Sequence, residues 1–219
     1  SAYSVSLFTD WNGESINQVW LKGHADDAYS FADQQTFYGA SAATRQMHPI
    51  AELSGDQCTV QFGIPGAWHE RLPHFRIDAT PSAGHELQSE YFVPRSRAVE
   101  AIRAVATLHE RVTPHLMITE IRSIAADDLW MSPCYQQDSI GIHFTWKPEW
   151  DAVREVLPLI ESALAPVKPR PHWGKLFTLP PQAIQAQYER LADFQRLAQT
   201  YDPQGKFRNA FLEQNVFSS

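Results

Sequence analysis

Apolar and polar residues alternate along five short segments of the chain, a pattern typical of β-strands with one buried face. The predicted strands are residues 1–9, 59–63, 85–93, 115–124 and 139–146. Pro94 ends the third strand because a proline cannot donate a ladder hydrogen bond, and Pro65 and Gly66 close the second strand with a turn. The alternation starts with the first residues, and the first residue is not Met. We therefore expect the chain to begin within a folded structure, as a fragment or a processed product would.

Three other segments repeat their apolar residues every three or four positions, which predicts helices with one buried stripe. The predicted helices are residues 96–109, 148–164 and 184–198. The last helix is expected to end before the turn-forming segment 202–205. Its stripe consists of Ile184, Tyr188, Leu191, Phe194, Leu197 and Ala198. Because strands alternate with helices that can cover them, the pattern predicts an α+β fold.

The segment 165–171 carries three prolines in seven residues and cannot continue a helix. Such a segment is typical of a linker or of a chain crossing from one unit to another. We therefore predict a domain boundary that divides the chain into residues 1–170 and 171–219.

Composition narrows the classes of partner. The 219 residues carry a formal net charge of −7 without a cluster of Lys or Arg, which argues against a nucleic-acid or anionic-membrane surface. No segment approaches the roughly 20 apolar residues that a membrane helix requires. Cys58 and Cys134 are too few for a disulfide framework and match no zinc-site spacing, so we expect a soluble protein of a reducing compartment, the cytoplasm.

Several common chemistries lack their usual motifs. The histidines of HERLPH at residues 69–74 lie five apart with a proline between them, so they cannot face one metal ion from a single helix as in HExxH. We therefore expect no metal site. The motifs GxSxG, GxxxxGK[ST] and GxGxxG are absent from the sequence, so a hydrolase or a nucleotide-binding protein is disfavoured.

Two charged residues share one face of the predicted strand 115–124. The period of two places Glu120 and Arg122 on the same side as Ile118 and Ile124. A charge pair between apolar neighbours indicates a polar site within a buried surface. The alternative is an exposed ion pair on a solvated face.

The predicted strand 139–146 separates its residues into an apolar face and a polar face that holds Gly141, His143 and Thr145. If this strand lies beside strand 115–124, these residues would join Glu120 and Arg122 in one polar floor. We expect Gly141 to leave room there for a ligand. Such a set of donors and acceptors suits a sugar-like molecule, whereas a purely structural hydrogen bond remains the alternative for His143.

The sequence HWGK at residues 172–175 places an aromatic residue, a flexible glycine and a cation on a predicted loop. Loops of this kind often form sites. A surface turn with a packed tryptophan is the alternative.

Taken together, six motifs resemble the alditol oxidases, including xylitol oxidase, of the vanillyl-alcohol oxidase superfamily. They are GIPGAWHERLPHF at 63–75, SEYFVP at 89–94, TEIR at 119–122, IHFTW at 142–146, PHWGK at 171–175 and DPQGKF at 202–207. The HWGK and DPxGxF motifs are shared with sugar-lactone oxidases such as arabinono-lactone oxidase. A lactone therefore remains an alternative substrate.

The resemblance implies that residues 1–170 form a substrate-binding cap domain, an antiparallel β-sheet covered by helices. Residues 171–219 would then return as a helical segment to an FAD-binding domain. The N-terminal part of that domain, with its glycine-rich loop and its flavin-linked histidine, has no counterpart in the sequence. We therefore expect the isolated chain to hold FAD poorly and to be inactive.

The resemblance also implies a role for each candidate residue. Glu120, Arg122 and Lys175 would be catalytic. Glu120 and Arg122 would bind the hydroxyl that is oxidised, and Lys175 would lie near both the substrate and the flavin. His143 and Thr145 would hold neighbouring hydroxyls, and His172 would contact the FAD together with Lys175.

The implied reaction oxidises the terminal hydroxyl of an alditol such as xylitol or sorbitol to the aldose. The flavin accepts hydride, and O2 is reduced to hydrogen peroxide. The implied partners are a small polyol, O2 and the N-terminal FAD domain of the same protein. The alternative outside enzymes is an α+β domain that binds a polyol or mediates association.

Overall fold

The computed structural model describes residues 2–26, 36–79 and 84–218. Within these residues the strands are β1 (Ser4–Thr9), β2 (Gln18–Lys22), β3 (Thr36–Phe37), β4 (Ala40–Ser41), β5 (Leu87–Pro94), β6 (Leu116–Ile124), β7 (Ser139–Trp146) and β8 (Arg170–Pro171). Six strands form one sheet in the order β2-β1-β6-β7-β5-β8, and β3 pairs with β4. The pairs β1–β2, β1–β6 and β5–β8 are antiparallel.

The helices are α1 (Ala98–Ala106), α2 (His109–Val112), α3 (Trp150–Leu164), α4 (Pro181–Gln185), α5 (Leu191–Tyr201) and α6 (Ala210–Leu212), and a π-helical turn follows at Glu213–Phe217. An antiparallel sheet accompanied by helices confirms the predicted α+β class. No helix in the described part of the chain is both long enough and apolar enough to span a bilayer.

Four of the five predicted strands are confirmed as β1, β5, β6 and β7, with small shifts at their ends. The apolar face of β7 is buried as predicted, since none of Ile140, Ile142, Phe144 and Trp146 is more than 6% exposed. The strand β2 has no counterpart among the predicted strands. It pairs with β1 along five residue positions, from Ser4 opposite Lys22 to Phe8 opposite Gln18.

The predicted strand at residues 59–63 is wrong. Phe62 and Gly63 have φ angles of 64° and 66°, in the left-handed region that a strand cannot use. The segment bends into a turn at these two residues, and just before it Cys58 forms an isolated bridge with Phe75.

The predicted helix at residues 184–198 is interrupted, because α4 ends at Gln185 and α5 begins at Leu191. Between them the side chain of Tyr188 is only 4% exposed and packs on Trp173 at 5.0 Å between ring centroids. The packing of this ring in the tertiary structure therefore breaks the helix, although the apolar residues are spaced as in one continuous helix. The predicted end before Asp202 is confirmed.

The other two predicted helices are present but shorter. The helix predicted at 96–109 is α1, followed by the single turn α2. The helix predicted to begin at Pro148 begins at Trp150 instead. The reason is that the Lys147 N–H donates to the His115 carbonyl at 2.8 Å, which keeps the chain extended beyond the end of β7.

The chain divides by its internal packing into two compact units. The first comprises Ser1–Gln88, His109–Ser123 and Ile142–Trp150, and the second comprises Ser89–Leu108, Ile124–Gly141 and Asp151–Ser219. The proline-rich segment forms a 3-10 turn at Ala165–Val167 and then β8, which pairs with β5. The boundary near residue 170, between a cap and a segment of an FAD domain, stays a prediction.

The first unit has a core cluster that contains Phe8, Ile50 and Ile118. Phe8 comes from β1 and Ile118 from β6, and these adjacent strands are joined by a ladder in which Phe8 lies opposite Glu120. The indole N–H of Trp11 donates to Thr119 Oγ1 at 2.8 Å, which fixes the end of β1 against the middle of β6. The strand that carries Glu120 is therefore held rigidly.

The second unit contains a buried carboxylate with several donors. Glu161 of α3 is 5% exposed, and its Oε1 accepts from Tyr91 Oη at 2.8 Å and from Thr178 N at 2.7 Å. The hydroxyl of Thr178 donates to the other oxygen. These bonds join β5, α3 and the segment that follows β8, so they fix the end of the loop that carries HWGK.

The motif DPQGKF forms a turn rather than a site. The carboxylate of Asp202 accepts from the backbone N–H groups of Lys206 and Phe207 at 2.8 and 2.9 Å. Gly205 has a φ of 68°, a conformation that glycine adopts without a steric penalty. The motif thus ends α5 and reverses the chain.

Candidate functional site

Glu120 and Arg122 share one face of β6 in the first unit. In the ladder with β1 they lie opposite Phe8 and Ser6. Arg122 Nη1 is 3.8 Å from Glu120 Oε2, and the two side chains are 36% and 10% exposed. The pair is therefore half-sheltered rather than a solvated surface contact.

His74 contacts the same carboxylate. Its Nε2 atom lies 2.9 Å from Glu120 Oε1 and 3.1 Å from Ser6 Oγ. A carboxylate accepts hydrogen bonds, so Nε2 carries the proton in this contact. The sequence indicated this histidine only as an unsuitable metal ligand, and its place in the 63–75 motif was the one signal that could have identified it.

The loop that carries His74 is anchored through its backbone. The Thr59 N–H donates to the His74 carbonyl at 3.0 Å, and the Thr59 hydroxyl donates to the Pro73 carbonyl at 2.7 Å. Lys22 Nζ donates to the carbonyls of Leu72 and Pro73. These contacts explain how an irregular segment presents an imidazole at a defined point on β6.

The surroundings of Glu120 keep it ionised. Burial alone would raise its pKa, but the hydrogen bond from His74 and the charge of Arg122 lower the pKa to about 2, with a further contribution from Ser6. The nearby cation Lys22 has its own pKa lowered to about 8 by burial, partly offset by the negative charge of Glu120. At neutral pH Glu120 is a carboxylate that accepts hydrogen bonds.

His143 and Thr145 lie on β7, which neighbours β6 in the sheet. The two strands are therefore adjacent, which was the condition for one polar surface formed by residues of both. Thr145 is 5% exposed and His143 is half-buried.

The expected space above Gly141 is not available to a ligand. A Cβ atom at Gly141 would lie 2.9 Å from Glu90 Oε1 and 3.2 Å from Ile124 Cδ1. The missing side chain makes room for the carboxylate of Glu90, so that expectation was wrong.

Lys175 forms a close ion pair in the second unit. Its Nζ lies 2.6 Å from Glu90 Oε2, with the two side chains 17% and 2% exposed. The backbone N–H of His172 donates to the Glu90 carbonyl at 2.9 Å, so the HWGK loop begins against β5. Trp173 is packed, with its indole N–H donating to the Met131 carbonyl at 2.9 Å. The motif therefore holds both a packed tryptophan and a positioned cation.

The imidazole of His172 has a defined tautomer when neutral. Its Nδ1 atom accepts from the Gly174 N–H at 3.0 Å, which places the ring proton on Nε2. His172 and Lys175 are thus both hydrogen-bond donors. The pyrimidine edge of a flavin carries acceptors, so the chemistry of these two residues fits an FAD.

The candidate residues divide between the two units. Glu120, Arg122, His143 and Thr145 belong to the first, whereas His172 and Lys175 belong to the second. Within the units the structure brings Glu120 together with Arg122 and His74, and Lys175 together with Glu90. Sequence reasoning assigned no role to His74 or Glu90.

The cysteines do not suit catalysis. Both Cys58 and Cys134 are free and buried, and burial raises the pKa of Cys58 to about 11. Among the residues with described positions, no cluster of three or more His, Cys, Asp or Glu is arranged to hold a metal ion.

Residues 82–215 match the family model of D-arabinono-1,4-lactone oxidase. The chain belongs to this family. Membership confirms the resemblance that the motifs indicated and makes the chain a relative of oxidoreductases.

Among curated members, the alditol oxidase of Streptomyces sp. (strain IKD472 / FERM P-14339) is 47% identical over 212 residues, which are 97% of this chain and 50% of that protein. The L-gulonolactone oxidase of Bos taurus is 28% identical over 130 residues, 57% of this chain and 29% of that protein. The L-gulono-1,4-lactone dehydrogenase of Mycobacterium tuberculosis (strain ATCC 25618 / H37Rv) is 26% identical over 140 residues, 63% of this chain and 32% of that protein. The chain thus spans about half the length of the alditol oxidase and a smaller share of the lactone enzymes.

Proposed function

We propose that the chain is the substrate-binding part of an FAD-dependent alditol oxidase. The whole enzyme oxidises the terminal hydroxyl of a sugar alcohol such as xylitol or sorbitol to the aldose and reduces O2 to hydrogen peroxide. The observation that carries the proposal is the ionised, sheltered Glu120 beside Arg122 on one face of β6. The identity of 47% to an alditol oxidase supports it.

The two charges of this pair suit alcohol oxidation. Removing hydride from a carbinol carbon requires the hydroxyl proton to leave as well, so negative charge develops on the oxygen. In the overall reaction this proton and the hydride are balanced by the reduction of O2 to hydrogen peroxide. A carboxylate orients the alcohol by accepting its O–H hydrogen bond, while the cation Arg122 stabilises the developing negative charge. We assign Lys175 of the second unit a catalytic role as well. FAD, when bound, supplies the hydride acceptor.

The remaining candidates are assigned to binding. His143 and Thr145 on β7 would hold hydroxyls next to the one oxidised. Residues two apart on a strand are separated by about 6.6 Å, so neighbouring strands present polar groups along lines several carbons long. That arrangement suits the extended chain of an alditol.

His172 and Lys175 would contact the FAD as hydrogen-bond donors. A positive charge near the pyrimidine edge favours the reduced, anionic flavin. Most FAD contacts would come from an N-terminal FAD domain of the same protein. Two buried free cysteines favour a reducing compartment, and we place the enzyme in the cytoplasm.

A sugar-1,4-lactone is the second candidate substrate. The matched family model and the gulonolactone relatives support it. The two candidates differ at the reacting carbon, which is a terminal carbinol in an alditol and a ring carbinol in a lactone. Oxidation of either substrate would need a group that accepts the hydrogen bond of the hydroxyl and a cation near its oxygen.

Steady-state kinetics of the full-length protein separate the two. Hydrogen peroxide formation is measured with xylitol, sorbitol, L-gulono-1,4-lactone and D-arabinono-1,4-lactone. We expect kcat/KM for the alditols to exceed that for the lactones by at least about tenfold, a difference of about 1.4 kcal/mol in transition-state binding. The reverse order would assign the enzyme to lactones, and no turnover of either class would favour a non-enzymatic polyol-binding domain.

The isolated 219-residue chain gives a further test. We expect it to be colourless after purification and inactive with xylitol, because its FAD contacts are few. An absorbance spectrum with a flavin band, or peroxide formation without added protein, would contradict this expectation.

A further inference from the structure

We propose that His74 is a positioning residue that occupies Oε1 of Glu120 and so directs Oε2, the oxygen on the Arg122 side, to the substrate hydroxyl. The inference rests on the proposed function and extends it to the orientation of the Glu120 carboxylate. It gives the histidine a role that neither the motifs nor the family match assigns.

The two oxygens of Glu120 have different neighbours. Oε1 receives His74 Nε2 at 2.9 Å, whereas Oε2 lies 3.8 Å from Arg122 Nη1, beyond hydrogen-bond length. A carboxylate oxygen can accept two hydrogen bonds. A hydroxyl that approaches Oε2 therefore finds an acceptor next to a cation, whereas an approach to Oε1 meets the imidazole.

The imidazole can serve only as a donor toward Glu120. The contact requires a proton on Nε2, and in the neutral ring Nδ1 then carries none. Nδ1 is buried without a hydrogen-bond partner among the described residues. An unprotonated nitrogen can be buried in this way at a lower cost than an N–H group that lacks an acceptor. His74 thus delivers one N–H to one oxygen.

The protein holds this ring firmly. Its side chain is 16% exposed and contacts Trp20 and Phe8 edge-on, at 5.0 and 5.7 Å between centroids. The backbone bonds from Thr59 and Lys22 fix the loop on either side of Pro73. A ring held by packing and by its backbone orients the carboxylate that it contacts.

Removal of the His74 N–H donor should change the turnover of the enzyme and not only the stability of its fold. Without His74 the carboxylate would rotate and present either oxygen. The ionisable groups that face Glu120 are His74 from its loop, Arg122 from β6 and Lys22 from β2. With His74 gone, only Arg122 and Ser6 would still oppose the effect of burial, so the pKa of Glu120 should rise toward its usual value of 4.5.

The test uses the full-length, FAD-bound protein with xylitol. His74→Leu removes the donor, His74→Gln returns an N–H near the position of Nε2, and His69→Leu changes an exposed histidine of the same motif as a control. We expect His74→Leu to lower kcat/KM about 10- to 100-fold, mainly through kcat, as loss of a hydrogen bond to a charged group does. When kcat of this variant is plotted against pH, the fall on the acid side should occur at a higher pH than in wild type. His74→Gln should recover most of both effects, and His69→Leu should match wild type.

Thr59→Val provides a second route if His74→Leu folds poorly. It loosens the anchored loop without touching Glu120 and should shift kcat and its fall on the acid side in the same direction by a smaller amount. If the wild-type protein turns over an alditol, the proposed function stands. The inference about His74 would then be overturned by a His74→Leu variant with unchanged kcat and an unchanged pH dependence of kcat. A His74→Gln variant as impaired as His74→Leu would overturn it too. A wild-type protein with no alditol turnover would overturn the proposed function and this inference with it.

Discussion

Glu120 and Glu90 are two buried carboxylates beside cations, and they are held in different ways. Glu90 in the second unit is 2% exposed and meets Lys175 at 2.6 Å. The Glu120 side chain in the first unit is 10% exposed, lies 3.8 Å from Arg122 and takes a hydrogen bond from His74. Glu90 forms a direct ion pair with Lys175, whereas Glu120 lies near Arg122 at a distance longer than a hydrogen bond.

Under the proposed function, the Glu90–Lys175 pair positions a cation, whereas the Glu120–Arg122 pair contacts the reacting hydroxyl. A carboxylate that bonds its cation directly holds it in one place, as Glu90 does for Lys175. A carboxylate held by a histidine can stay ionised and still accept a hydroxyl. The comparison therefore predicts that substitutions at Glu120 and Arg122 change turnover, whereas substitutions at Glu90 change stability first.

Arg122→Ala should give the largest effect. Loss of the cation beside the developing oxygen charge should lower kcat of the full-length protein about 100- to 1000-fold, as loss of one oxyanion-stabilising group does. Arg154→Ala, at an exposed arginine of α3, serves as the control. Steady-state kinetics and a thermal melt distinguish the cases, because a structural ion pair would lower Tm and leave kcat of the folded protein unchanged.

Glu90→Leu should destabilise the second unit by about 3 kcal/mol, since it leaves the sheltered ammonium of Lys175 without its counter-charge. Glu90→Gln keeps a hydrogen-bond acceptor and should lose less. Urea unfolding followed by tryptophan fluorescence measures both, with Glu100→Gln at an exposed residue of α1 as the control. A Glu90→Leu variant as stable as the control would show that the pair contributes nothing.

The depressed pKa of Glu120 predicts how stability depends on pH. Its pKa is about 2 in the folded protein and 4.5 ordinarily, so the ionised group stabilises the fold fully above pH 4.5. As pH falls toward 2 this contribution, about 3 kcal/mol by linkage, is lost. The unfolding free energy of wild type minus that of Glu120→Gln should therefore decrease between pH 5 and pH 2.5. A constant difference would mean that Glu120 is not specifically ionised by its neighbours.

Gly141→Ala should give the smallest effect of the series. The new methyl group would lie 2.9 Å from Glu90 Oε1. It should shift the carboxylate, whose other oxygen contacts Lys175, at a cost of about 1–2 kcal/mol. Gly174→Ala is the matched control, because its nearest neighbour would be His172 at 3.4 Å, an ordinary contact. Thermal melts should show a lower Tm for the first variant alone, and equal Tm values would contradict the close packing.

The sequence predicted the parts of the fold and the site that depend on local periodicity. Alternation along β6 placed Glu120 and Arg122 on one face, and alternation along β7 identified its buried side. Both follow from the strand period, which needs no knowledge of tertiary structure.

Contacts between distant segments were not predictable from such patterns. His74 reaches Glu120 across 46 residues and Lys175 reaches Glu90 across 85. The turn at Phe62 depends on a left-handed backbone, and the break before α5 depends on the packing of Tyr188. Each of these features is set by tertiary structure that overrides local pattern.

The most direct experiment mixes the full-length protein with xylitol in the absence of O2 and follows flavin absorbance. We predict rapid bleaching in wild type and in the control Glu100→Gln, and bleaching slowed by at least about 100-fold in Glu120→Gln, where no carboxylate orients the hydroxyl. Equal bleaching in Glu120→Gln and wild type, or no bleaching by any alditol in wild type, would contradict the assignment of Glu120 to alditol oxidation.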